Sequence, residues 1–154
     1  MENLSKRADT RRSDFPPDYV ARMREDWRVA RAAHSDLQLM GMPRVNILLV
    51  GAVGPIQGIL ELLQKTCASP IAVWRPGERL ALPPIGRVRT FILHDVWSLP
   101  SDDQYALAAW LERAEGRVQV ISTSTASLLH RVHSGEFLDT LYYRLNMVFV
   151  DLTA

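Results

Sequence analysis

VNILLVGAVGPIQGILELL, residues 45–63, sets the fold. Residues 45–50 are apolar apart from Asn46, a run of strand length that stops at Gly51. A run apolar on both sides predicts a strand covered on both faces, as in a parallel sheet. Gly51, Gly54 and Pro55 then punctuate the chain, and from Ile56 the apolar spacing is that of a helix running to Leu63. Strand, glycine-bearing turn and helix make the opening of an α/β unit.

Downstream the alternation repeats. Residues 71–74 and 88–95 read as the second and third strands, and 118–121 and 147–150 as the fourth and fifth. Residues 102–114 read as a helix with Tyr105, Leu107, Ala108 and Leu111 on one side, and residues 128–143 as mostly helical. The expected architecture is five parallel strands sandwiched between helices.

Upstream lies a different segment. Residues 1–44 carry nine basic and seven acidic side chains, and 1–15 read as disordered. Pro16 and Pro17 open a predicted helix that ends at Gly41. On it Val20, Met23, Trp27, Ala30, His34 and Leu37 form one apolar stripe, with Arg22, Arg24, Glu25, Arg28 and Arg31 opposite. The stripe packs either on its own domain or against a partner, and Trp27 is its largest anchor. The expected division is 1–44 and 45–154.

Composition narrows the class. The 154 residues are 47% hydrophobic and 23% charged, with a formal net charge of +1. That charge gives no general attraction to nucleic acid or membrane. The single cysteine, Cys67, fits a reducing compartment. The charged N-terminus lacks the apolar run of a secretory signal, and the uncharged stretch 45–60 is too short to span a bilayer. These features predict a cytoplasmic protein without direct DNA or membrane contact.

The most specific block is GEFLDTLYYRLN, residues 135–146. It resembles G-x-F-R-E-D-L-Y-Y-R-L-N, the signature of the AAA+ ATPase core of sigma-54-dependent transcription activators. Three further blocks match in order. VQVISTST, residues 118–125, is similar to that family's fourth strand and sensor segment, VRVIAATN. FILHDVWSLPSDDQ, 91–104, is similar to its Walker B region, LFLDEVGELPLDLQ, and ILLVGAVGPIQG, 47–58, to its Walker A region, VLLTGESGTGKE. The resemblance implies a P-loop NTPase-like sheet of five parallel strands.

It also implies that the nucleotide site is degenerate. A phosphate loop holds phosphate oxygens with inward-turned N–H groups, a lysine and a magnesium-binding hydroxyl. Here Gly51 and Gly54 remain, but Pro55 and Ile56 follow, Gln57 stands at the lysine position and Gly58 after it. His94 stands at the metal-directing aspartate, Asp95 at the catalytic glutamate and Thr125 at the sensor asparagine. Of two arginines in the last block only Arg144 survives, Leu138 replacing the other. Losing the lysine and magnesium contacts, about 1.5–3 kcal/mol each, weakens nucleotide binding by roughly 10² to 10⁴. Hydrolysis loses more, because phosphoryl transfer depends on placed positive charge and an oriented water.

The family's sigma-contacting GAFTGA loop has no room between residues 75 and 87, and the sequence ends at Ala154 with no helical lid expected. The resemblance thus implies a non-hydrolysing regulatory or interaction module, with no cofactor beyond weakly held ATP or ADP. Its partner would be another protein, a second copy or a functional AAA+ activator. The alternative is a nucleotide sensor using residues 51–58. Arg144 would keep the family's inter-subunit reach only as an ion pair. No metal site is expected: His130 and His133 share a helix without an evident approach to His94, which is expected to be a buried, hydrogen-bonded core residue. Ser122, Thr123, Ser124 and Thr125 read as a polar strand end. Trp74, Trp97 and Trp110 read as core or rim residues, and Tyr142, Tyr143 and Asn146 as fixing the last helix to the sheet.

Overall fold

In the computed structural model, residues 44–153 are described. The predicted N-terminal helix and Trp27 lie outside them. Strand β1 (Ile47–Gly51) leads into helix α1 (Val53–Gln64). There follow β2 (Ile71–Trp74), β3 (Thr90–Leu93), a 3-10 turn (Val96–Ser98), α2 (Ser101–Ala114) and β4 (Gln119–Ser124). Helices α3 (Leu128–His133) and α4 (Asp139–Leu145) precede β5 (Val148–Leu152). All pairings are parallel, in the order β2-β3-β4-β1-β5.

Alternate residues of the strands feed two cores, as the period of two requires. Ile47, Leu49, Ile92, Ile121 and Val150 meet Ile56, Ile59, Leu60 and Leu63 of α1. Leu48, Phe91, Leu93 and Val120 meet Leu107, Trp110, Leu141 and Leu145 on the other face. Among the described residues, one helix therefore covers one face and three the other. Each connection takes the face that makes a parallel crossover right-handed. The β2–β3 connection has no helix of its own. Leu80, Leu82, Ile85 and Val88 pack on the second core instead, and the Trp110 indole N–H donates to the Pro83 carbonyl at 2.8 Å.

Several boundaries differ from expectation. Helix α1 starts at Val53, three residues before Ile56, so Gly54 and Pro55 belong to its first turn. Proline is tolerated there because a first-turn N–H has no intrahelical partner to lose. The third strand is shorter than predicted, because Asp95 adopts a left-handed conformation, φ 48°, that ends it. The predicted last helix is two helices, parted by a turn in which Gly135 has φ 78°. Tyr143 does not anchor that helix: it is 67% exposed, whereas Tyr142 is buried and its hydroxyl accepts from Asn146. Trp74 and Trp110 are core residues, and Trp97 lies at the rim.

Candidate functional site at the strand ends

In an open parallel sheet, ligands sit beyond the carboxyl ends of the strands, where neighbouring strands send their helices to opposite faces. Here that point lies between β1, which leads to α1, and β4, which leads to α3 on the other face. A crevice of about 720 Å³ opens there, lined among others by Gly51, Val53, Thr125, Phe149, Asp151 and Thr153.

Gly51 is there because nothing larger fits. A Cβ on it would lie 2.6 Å from the backbone carbon and oxygen of Leu152. Strand β5 therefore crosses close beside the β1 exit. Only Ala52 then separates β1 from α1, and the Ile56 N–H already donates to the Ala52 carbonyl at 3.2 Å. The stretch expected to curl as a loop is wound into a helix. Gln57 faces solvent from the second turn, its amide donating along the helix to Glu61 at 3.3 Å. Gly58 lies on the same helix and Gly54 is exposed in its first turn.

Asp95 and Thr125, expected at one site from separate strands, do meet. The Thr125 N–H and hydroxyl donate to Asp95 Oδ1 at 2.8 and 2.9 Å, and the Trp97 indole N–H donates to the same oxygen at 3.2 Å. The Asp95 N–H in turn donates to Thr123 Oγ1 at 3.0 Å. Arg131 lies 4.6 Å from the centre of the Trp97 ring and pairs with Glu136 at 2.8 Å. Trp97 and Arg131 were not singled out as site residues. The Trp97 ring meets Arg131 across positions far apart in the chain, which no local pattern reports.

His94 departs from the core role expected of it. Its N–H donates to the Trp74 carbonyl at 3.0 Å, yet its buried Nε2 has no hydrogen-bond partner among the described residues. Burial foremost, then the Arg75 guanidinium, holds its pKa below the usual 6.5, while Asp95 and Glu78 pull the other way. Asp151 titrates below its usual range because the Thr153 hydroxyl and N–H donate to it. No group of three potential metal ligands occurs among the described residues.

Arg144 lies elsewhere. It lies in the last turn of α4, its carbonyl accepts from Asn46 at 2.9 Å and its guanidinium reaches Glu112 at 3.9 Å. It therefore sits at the amino ends of the strands, beside Arg44, Tyr143 and Met147 in a pocket of about 220 Å³. Among the described residues, none of those lining the strand-end crevice is basic. The arrangement offers an exposed aromatic ring, an ionised carboxylate and hydroxyls, and no positive side chain for a phosphate.

Residues 82–154 match the family described as the sigma-54 interaction domain. No curated protein matches the chain. Among solved structures, NtrX from Brucella abortus in complex with ATP superposes with a TM-score of 0.60 at 16% identity, covering 88% of this chain and 37% of that one. The P-loop NTPase domain of the sigma-54 transport activator from E. coli gives 0.52 at 19% identity, covering 82% of this chain and 96% of that one. Drosophila ORC bound to GC-rich DNA and Cdc6 gives 0.54 at 12% identity, covering 90% and 60%. At these identities the likeness is one of fold. The chain spans only about a third of the NtrX chains, 32% and 37% in two of them. No helix among the described residues is long and apolar enough to cross a membrane.

Proposed function

We propose that this chain, whose residues 82–154 match the sigma-54 interaction domain, is a non-hydrolysing relative of the sigma-54 activator AAA+ domains and acts as a regulatory interaction module. The observation that carries this reading is the exit from β1. A single residue, Ala52, joins the strand to α1, and the side chain at the expected lysine position, Gln57, points along the helix surface to Glu61. A phosphate loop presents inward-facing N–H groups and a lysine; the reading is supported by the helical turn that follows Ala52, by Pro55, which lacks an N–H, and by the neutral Gln57. Asp95 is occupied by three donors and serves to join β3 to β4, which leaves its Oδ1 little capacity to orient a water.

Its action would be on another protein in the cytoplasm. A functional AAA+ activator is the first partner to test, with Arg144 and Tyr143 as the contacting surface, since both are accessible at the end of the sheet away from the crevice. The experiment is a reporter strain dependent on sigma-54. The protein expressed alone should not stimulate the reporter. Expressed beside a functional activator it should lower the output, and Arg144→Glu should restore it. Stimulation by the protein alone would sink the reading.

A further inference from the structure

Among the described residues, strand β5 is an edge strand, paired only with β1. The Val148 N–H donates to the Asn46 carbonyl at 3.0 Å, which fixes the direction of every peptide group in the strand. Successive residues point to opposite sides, so the N–H and C=O groups of Phe149 and Asp151 face away from the sheet. No partner for them exists among the described residues. The side chains of the same two residues line the strand-end crevice, with Phe149 48% exposed. One strand thus presents open main-chain groups and, on one face beside them, an aromatic ring and a carboxylate.

We propose that β5 is a strand-addition site for an extended partner peptide carrying a lysine or arginine between β-branched residues. The main chain of such a peptide would pair with Phe149 and Asp151 and become a sixth strand, a mode in which backbone bonds supply affinity and pockets supply selectivity. A basic side chain on the crevice face lays its apolar stem along Phe149 and its charge against Asp151. Asp151 is the one charged residue lining the crevice among the described residues, so the attraction is for a cation. The other edge, β2, has the sequence Ile-Ala-Val-Trp and no charge to select with. Pairing of two β5 strands is disfavoured because it brings two Asp151 carboxylates to one edge. The proposal rests on the reading above that the crevice does not serve a triphosphate.

The test uses the full chain and the probe peptide acetyl-Thr-Val-Arg-Val-Thr-amide, followed by backbone amide exchange and chemical shifts. Binding should slow exchange at the Phe149 and Asp151 amides while the β1-facing Val148 and Val150 amides keep their existing protection. Asp151→Lys, a surface change that leaves both cores intact, should weaken the probe about tenfold and favour the same peptide with glutamate at its centre. Unchanged exchange at Phe149 and Asp151 in millimolar probe would overturn the proposal, and so would undiminished binding by Asp151→Lys. Protection of these amides that rises with protein concentration, without probe, would overturn it in favour of a second copy. Phosphate release from ATP by the same sample, with the Phe149 and Asp151 amides still protected by the probe, would overturn the non-hydrolytic reading and leave the strand-addition site standing.

Discussion

Thr125 is bound twice to one oxygen of Asp95, through its backbone N–H at 2.8 Å and its hydroxyl at 2.9 Å. The two residues follow β3 and β4, so this pair closes the carboxyl ends of two neighbouring strands. Hydrogen bonds to a charged acceptor are stronger than neutral ones, and Asp95 also occupies a left-handed conformation, φ 48°, that aspartate and asparagine tolerate better than alanine.

Asp95→Ala should therefore destabilise the fold by about 2–3 kcal/mol, combining lost bonds with backbone strain. Asp95→Asn keeps an acceptor oxygen and the backbone tolerance, and should cost about half as much. Urea denaturation of both variants checks the order. Equal losses would mean that the charge, and not the geometry, is what the site requires.

Gly51→Ala should be harmful for a different reason. Its new Cβ would meet the Leu152 backbone at 2.6 Å, and main-chain atoms cannot swing aside as a flexible side chain can. Relief requires β5 to move, at a cost on the order of 1–3 kcal/mol. Thermal unfolding should show the loss, and amide exchange should place the loosening in β5 first. A variant as stable as the parent would show that β5 is not held tightly against Gly51.

Acid should weaken the fold through His94. Burial and Arg75 lower its pKa in the native state below 6.5, so the unfolded chain takes up its proton at a higher pH than the folded one. Where the unfolded state binds more protons, stability rises with pH. The neutral imidazole therefore contributes in full above the unfolded value of about 6.5 and is penalised as pH falls below it. His94→Phe should flatten the difference in urea midpoint between about pH 7.5 and about pH 5.5. An unaltered difference would assign the acid sensitivity to other groups.

The sheet was legible because its strands are short apolar runs set apart by turn residues, and the block at residues 135–146 lies in the span that matches the sigma-54 interaction domain. What stayed hidden has local causes. Gly54 and Pro55 look like loop residues, yet the first turn of a helix accepts both, so the start at Val53 was misplaced by three residues. The residues around Gly135 carry helix-like spacing on both sides, and only its positive φ reveals the break. Phe149 lies in the apolar run read as the fifth strand, yet it is half exposed on the face away from α1. The contact of Trp97 with Thr125 joins residues 28 apart in the chain, beyond any periodic pattern.

Restoring the expected lysine should not restore an ATPase. Gln57→Lys puts the charge on a solvent-facing position of α1, beside Glu61, where it will pair along the helix. The loop that would bring N–H groups around a phosphate is still a helical turn starting at Val53, with Pro55 lacking an N–H. His94 still stands at the end of β3, with its Nε2 buried and no carboxylate in its place. Phosphate release by the parent and by Gln57→Lys should both stay at background, and millimolar ATP should leave the melting temperature of each unchanged. A melting shift in the parent that Gln57→Glu removes would establish a nucleotide sensor instead. Turnover abolished by Asp95→Ala would overturn the non-hydrolytic reading altogether.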